Sequence, residues 1–310
     1  MSDKRHDGPI PIVVLHRDEP GFLRETVAAI RQRTSVDYQL FVVDNNSVTA
    51  EAHAALEQLA SDDVVVIRNS HNRWVMGFNS ALAHERFNHN AAYYVFSDGD
   101  IVVPDRDASG ACWLSRLIDL MNQTACAGKI GLSLNLVALR ERNELAHIYQ
   151  EEIAYGTGPR IGNLVIAPID TTLAIYRKDL FVMNGFRFLP GHKSLLRPYY
   201  YCLRTPLDFS AIHLGWEGYG KRRDYGGEKI RCFARFGGFV DRVTLATGSV
   251  ADRCYYKCLG PLWRFMWGLV VAYHWFLYIA ARFPRGLNEL QAQARTPSNI
   301  DTARNRARSA

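Results

Sequence analysis

No Gly-rich GxGxxG follows the first predicted strand of this 310-residue chain, and no GxxxxGK[ST] occurs anywhere in it. Both absences count against dinucleotide-binding dehydrogenases and P-loop enzymes, which need such loops to cradle phosphates. Cysteine is sparse. Cys112, Cys126, Cys202, Cys232, Cys254 and Cys258 form no CxxC pair. Cys254 and Cys258 are spaced to share a helical face, yet no histidine pair near them completes a zinc pattern. Buried reduced thiols are expected instead. Residues 1–9 are polar and lack the apolar centre of a signal peptide, which predicts a flexible N-terminus on a cytosolic protein. Acidic residues are outnumbered, 31 against 37 basic, for a net charge of +6. That excess favours anionic partners such as nucleotides, phospholipid surfaces or nucleic acid, without choosing among them. Part of it is local: residues 284–310 carry five arginines against Glu289 and Asp301, a tail expected to be disordered.

What is present is an ordinary folded composition, 48% hydrophobic and 22% charged, with enough chain for one large domain or two modest ones. Ile10 to Leu15 reads as a buried strand. Pro20 and Gly21 then open a helix with Leu23, Val27 and Ile30 on one face. Gln39 to Val43 is a second strand, followed by a helix carrying Ala52, Ala55, Leu56 and Leu59, then a third strand over Val64 to Ile67. A helix over Phe78 to Phe87 leads to a fourth strand beginning at Tyr93. This alternation predicts an α/β fold with right-handed crossovers and a mainly parallel, Rossmann-like sheet.

Ligands of such sheets sit beyond the carboxyl ends of the strands. His16 and Arg17, Asp44 to Ser47, Arg68, and Asp98 and Asp100 all fall there. The fourth strand ends in Ser97-Asp98-Gly99-Asp100. Where backbone is near-extended, side chains at i and i+2 point the same way, so the two carboxylates can converge on a hard divalent cation. Gly99 lets the backbone bend or approach a ligand closely. A solvated acidic turn is the plainer reading, since Asp-Gly is a common turn pair. Asp44 likewise suits either a nucleotide's base or ribose, or the N-cap turn of the next helix.

Three segments together resemble the family 2 glycosyltransferases of the GT-A fold, inverting enzymes that use nucleotide-activated sugars. They are Val42-Val43-Asp44-Asn45-Asn46-Ser47, the loop Asn72 to Ala81 with Arg73 and Gly77, and Ser97-Asp98-Gly99-Asp100, which looks like that fold's DxD signature. The second half adds Ile169 to Arg177, similar to the strand that opens the acceptor half, Asn184-Gly185-Phe186 after it, and Ile212-His213-Leu214-Gly215-Trp216, similar to a His-Leu-x-Trp element. The resemblance implies a nucleotide-sugar-binding half over 10–130 and an acceptor-binding half over 131–260. It implies Mn or Mg held by Asp98, Asp100 and His213. The donor would be held by Asp44, Asn46, Asp98 and Gly99, with Arg17, Arg68 or Arg73 on its diphosphate. The departure lies in the catalytic base: the Glu-Asp pair of many members is missing, which leaves Asp208, then Asp170, then Glu217 as candidates.

Leu262 to Phe283 is rich in Trp, Tyr and Phe, with Arg264, His274 and Arg282 as its charged or titratable members. Its length permits a membrane span. The scattered aromatics and the basic tail after it favour a helix over 261–283 lying on an anionic membrane surface, and a buried core helix is the third option. The expected partners are therefore a nucleotide-diphosphate sugar, a glycan or polyprenyl-linked acceptor and an anionic membrane, and not nucleic acid. The expected place is the cytoplasmic, inner face of the plasma membrane, in surface polysaccharide assembly. Competing expectations are a non-catalytic GT-A-like scaffold and a sugar-phosphate nucleotidyltransferase, although His16-Arg17-Asp18-Glu19-Pro20 lacks the Gly-rich basic loop of the latter.

Overall fold

The computed structural model describes residues 8–61, 63–107, 109–169, 172–178, 202–216, 226–235, 238–240 and 242–281. Asp170, Asn184 to Phe186, Glu217 and the 284–310 tail lie outside them. Strands β1 (Ile10–His16), β2 (Tyr38–Asp44), β3 (Val64–Arg68) and β4 (Tyr93–Asp98) are linked by helices α1 (Pro20–Arg33), α2 (Ala50–Leu59) and the short α3 (Phe78–Leu82). The chain continues through β5 (Ile101–Val102), α4 (Trp113–Gln123), β6 (Lys129–Gly131), β7 (Ser133–Leu134), α5 (Val137–Arg140) and α6 (Ala146–Gly156). Then come β8 (Arg160–Ile161), β9 (Leu164–Ile166), β10 (Leu173–Arg177), β11 (Cys202–Arg204), β12 (Ser210–His213), α7 (Gly226–Arg235), α8 (Arg242–Thr247) and α9 (Val250–Ala281).

The main sheet runs β3-β2-β1-β4-β10-β6-β11-β9-β8, and β5-β12-β7 form a second, smaller sheet. The first four strands are mutually parallel; β10 then joins β4 antiparallel and opens the mixed half. Successive strand residues point to opposite faces. Ile10, Ile12 and Val14 accordingly pack with Leu40, Val42 and Val95 on one face, whereas Val13 packs with Phe41, Val43 and Phe96 on the other. The first face is covered by Leu23, Val27 and Ile30 of α1, Leu56 of α2, and Trp113 and Leu117 of α4; the second by Phe78, Ala81 and Leu82 of α3. Each such fully buried aliphatic or aromatic side chain contributes about 1.5–3 kcal/mol. Because α1 and α2 lie on one face and α3 on the other, the strand order reverses between β1 and β4. That switch point is where α/β sheets open a crevice.

The expected helix over Phe78 to Phe87 ends at Leu82. Beyond it, the backbone amide of Arg86 bonds to the His84 ring (3.2 Å), that of Asn90 to the Asn88 carboxamide (3.0 Å), and Asn88 Nδ2 donates to the Pro9 carbonyl (2.9 Å). Such local side-chain bonds compete with the helical ladder. The C-terminal helix is longer than expected, with 32 residues. It opens on a capping box in which Ser249 Oγ donates to Asp252 Oδ2 (2.7 Å) and accepts from the Asp252 amide (3.1 Å). Pro261 stands inside it. Leu262, Phe265, Met266, Leu269, Tyr273 and Phe276 are exposed along it, which sets the buried-core option aside. None of the described helices is long and apolar enough to cross a membrane. Cys112, Cys126 and Cys202 are buried as expected, but Cys254 and Cys258 are exposed on α9.

Candidate functional site

The register of the parallel strands brings their polar ends level: His16 lies opposite Asp44, Asp44 opposite Arg68, and Leu15 opposite Asp98. Two further backbone bonds carry the ladder past the strands, from the Asn45 amide to the His16 carbonyl (2.8 Å) and from the Asn69 amide to the Asp44 carbonyl (2.9 Å). The residues expected at the sheet's mouth therefore share one rim.

Asp44 is buried, and its carboxylate accepts from the Ser47 amide (3.1 and 3.2 Å) and hydroxyl (2.5 Å). This is the turn geometry considered for Asp44 from the sequence. Asp18 completes it from across the mouth: its Oδ1 accepts from the amides of Val48 (2.6 Å) and Thr49 (3.1 Å), where α2 begins. Asn45 joins the loops. Its Nδ2 donates to the Trp74 carbonyl (2.9 Å), while its Oδ1 accepts from Asn69 Nδ2 (3.1 Å) and the Arg73 amide (3.1 Å). Among the described residues, the non-glycines with positive φ are Asp18 (54°), Asn46 (67°) and Trp74 (51°), all in these loops. Asp and Asn tolerate that region, but in a bulky residue such as Trp it marks strain of the kind that collects at functional sites.

Asp98 is half-buried at the end of β4, and its amide donates to the Thr172 carbonyl (3.3 Å). A Cβ on Gly99 would lie 3.0 Å from the Leu15 carbonyl oxygen and 3.4 Å from His16 Cα, so this position leaves little room for a side chain. Asp100 is only 6% exposed. His213 arrives on β12, which pairs with β5, and its Nδ1 lies 3.8 Å from Asp100 Oδ2 while its ring stacks on Trp216 at 4.8 Å. No set of three His, Cys, Asp or Glu side chains is gathered for a metal among the described residues. A hard divalent ion commonly takes one or two carboxylates and completes its shell with substrate phosphates and water. Asp100 and His213, with Nδ1 and Oδ2 3.8 Å apart, are the two donors close enough to offer such partial coordination.

His16 is buried, and burial lowers its pKa to about 4 against the opposing pull of Asp44, Asp18 and Asp100. The imidazole is thus neutral at pH 7 and adds no positive charge to the mouth. Its Nε2 has no hydrogen-bond partner among the described residues.

The arginines differ in where they reach. Arg68 lies 3.5 Å from Glu57 and donates to the His53 carbonyl (3.4 Å), both on α2, while Arg73 donates to Ser80 Oγ (3.3 Å). Arg17 stays at the mouth, where both its Nη atoms donate to Glu228 of α7. Glu228 also accepts from Asn72 Nδ2 (3.1 Å). Sequence reasoning missed Glu228, for the pair is 211 residues apart and leaves no local pattern. Arg17 holds the Glu228 carboxyl below the usual range against burial, which makes it a weak proton acceptor. Asp208 is exposed in the turn before β12. His213 is at the far end of that strand, about 10 Å along it from Ser210 at some 3.3 Å per residue.

Among curated proteins none matches this chain. Solved structures similar to it include a mannosyltransferase, PcManGT from Pyrobaculum calidifontis, in complex with GDP-Man and Mn2+, at 14% identity over 92% of this chain and 90% of that one, with a TM-score of 0.49. S. aureus TarS 1–349 is similar at 11% identity over 80% and 68% of the two chains, with a TM-score of 0.42. The family model described as glycosyl transferase family 2 matches residues 12–182. Since that match runs from β1 through the acid pair and past β10, over more than half of the sequence, the chain belongs to glycosyl transferase family 2.

Proposed function

We propose that the chain moves a sugar, with inversion, from a nucleotide-diphosphate sugar to a glycan or polyprenyl-linked acceptor at the inner face of the plasma membrane. The observation that carries this reading is the approach of His213 to Asp100, two residues past Asp98 at the switch point of the sheet. Asp98, Asp100 and His213 would hold Mn or Mg, which when bound supplies Lewis-acid neutralisation of the leaving diphosphate. The nucleoside end lies against Asp44, Asn46 and Gly99, and Arg17 faces the diphosphate. Arg68 and Arg73 brace the rim through Glu57 and Ser80.

A carboxylate must take the acceptor hydroxyl's proton as it attacks. Asp170 is favoured for that role over Asp208. Thr172, two positions after Asp170, accepts from the Asp98 amide and from Ser97 Oγ (3.0 Å), whereas Asp208 sits beyond the opposite end of β12 from His213. The exposed apolar residues of α9 would rest on the membrane that carries the acceptor.

The test is turnover of a panel of nucleotide sugars with Mn2+ or Mg2+, comparing the native chain with Asp100→Ala. Loss of about 100-fold or more in rate, some 2.7 kcal/mol of barrier, is expected. Nucleotide binding without turnover on any sugar or acceptor would make the chain a scaffold instead.

A further inference from the structure

Glu228 reaches the mouth from α7 and is gripped like a ligand. Its Oε2 accepts from Arg17 Nη1 and from Asn72 Nδ2 (3.1 Å), and its Oε1 accepts from Arg17 Nη2 (3.2 Å). A guanidinium fork on two oxygens, helped by an amide, is the arrangement proteins use for phosphate as readily as for carboxylate. The seat adjoins the acid pair, because Arg17 follows His16, whose Cα would lie 3.4 Å from a Cβ on Gly99.

We propose that Arg17 and Asn72 form a seat for a phosphate of the donor's diphosphate, and that Glu228 fills this seat until the donor displaces it. The inference rests on the donor reading above. Charge decides which group leaves. Arg17 Nε already lies 3.7 Å from Asp18 Oδ2, so its single positive charge faces two carboxylates before any phosphate arrives. Asp18 is fixed, with a side chain 6% exposed that binds the Val48 and Thr49 amides. The Glu228 side chain is 37% exposed and sits in the first turn of α7. Two further links from α7 to the mouth are weak: a Phe233 ring edge on Trp74 at 5.6 Å and Cys232 Sγ 3.9 Å from the Asn72 carbonyl. Its firmer bonds run the other way, to α9, from Arg231 to Asp252 (2.8 Å) and from Trp267 Nε1 to the Arg235 carbonyl (2.9 Å). Helix α7 is therefore carried by α9 and touches the mouth with a displaceable carboxylate. A conformer holding its own stand-in lowers apparent affinity by the fraction of molecules in which the seat is open.

The test uses the full chain titrated with UDP and with GDP in the presence of Mg2+. Glu228→Gln is expected to tighten binding about tenfold, because the neutral amide competes less well for Arg17, and Arg17→Gln to weaken it about tenfold. Equal or weaker binding by a folded Glu228→Gln would show that Glu228 is a structural staple and overturn the seat, leaving the donor reading intact. Binding of neither nucleotide to either protein would overturn both. Hydrogen exchange on the native chain gives a second measurement that needs no variant. Amides of 226–235 should exchange faster on addition of the nucleotide that binds, and unchanged or slower exchange would also overturn the proposal.

Discussion

Gly77 lies directly against Asn45: a Cβ there would come within 2.8 Å of Asn45 Oδ1 and 2.6 Å of Leu15 Cδ1. The same Oδ1 already accepts from Arg73 and Asn69, so it cannot retreat without breaking the bonds that hold three loops together. Gly77→Ala is expected to cost about 2 kcal/mol through overpacking. It should also weaken nucleotide binding, because the 72–77 loop borders the mouth. Urea unfolding of variant and native chains measures the first effect and titration the second; an unchanged midpoint would mean that the loop yields freely.

Two of the three candidate acids, Asp170 and Asp208, make opposite predictions. Asp170→Asn is expected to lower kcat by about 100-fold or more, the usual contribution of a positioned base, with nucleotide affinity kept. Asp208→Asn, in an exposed turn, should stay near the native rate. A reversed pattern would move the base to the β12 turn and displace the assignment made from Thr172.

Asp252 offers a pH dependence with a definite sign. Its carboxyl is held below the ordinary 3.8 chiefly by the Ser249 hydroxyl, with Arg231 adding to the effect. A depressed carboxyl pKa stabilises the fold above the unfolded value and loses that contribution as pH falls through the folded one. Asp252→Asn should thus cost about 1 kcal/mol at pH 7, the typical worth of a helix cap. The gap between variant and native chain should begin to narrow below about pH 3.8 and go on narrowing as pH falls through the lower folded value, where the native carboxyl also becomes neutral. Thermal melts at pH 7 and pH 3 check this.

Leu262, Phe265, Leu269 and Phe276 are 57%, 65%, 58% and 67% exposed on α9 and recur at helical spacing. Serine at all four positions should abolish flotation with anionic vesicles while leaving nucleotide binding unchanged, since none of the four supports the core. High salt should weaken flotation of the native chain by screening its basic residues. A native chain that never floats would remove the membrane from the proposal.

The parallel half of the sheet was legible because each of its βαβ units is local: apolar runs, helical spacing and Pro20 at the start of α1 lie within a few dozen residues. Asp98 and Asp100 were legible as neighbours in sequence, although the structure puts Asp98 at the end of β4 and Asp100 in the turn before β5, so the extended backbone expected between them is replaced by a turn. The rest depends on pairings that have no local signature. Glu228 meets Arg17 only because α9 carries α7 across the mouth. Asp18, just past β1, accepts from the amide of Thr49, the N-cap of α2, 31 residues on. The left-handed backbone of Trp74 is imposed by Asn45 and Asn72 around it, and no propensity of tryptophan foretells it. Helix α3 was overestimated because its apolar spacing runs on through residues whose side chains bond locally instead.

Proline at 261 has no amide hydrogen, so the Lys257 carbonyl loses its helical partner and α9 lacks one rung between its two parts. A rod with one rung missing bends there first. Torque applied to the distal, apolar part would accordingly swing about residues 257–261, while the proximal part stays tied to α7 through Asp252 and Arg231. The helix thus behaves as two jointed levers. Trp267 of the outer lever also holds the Arg235 carbonyl of α7, so a surface that tilts or undulates under that lever passes its motion on to α7 and the mouth.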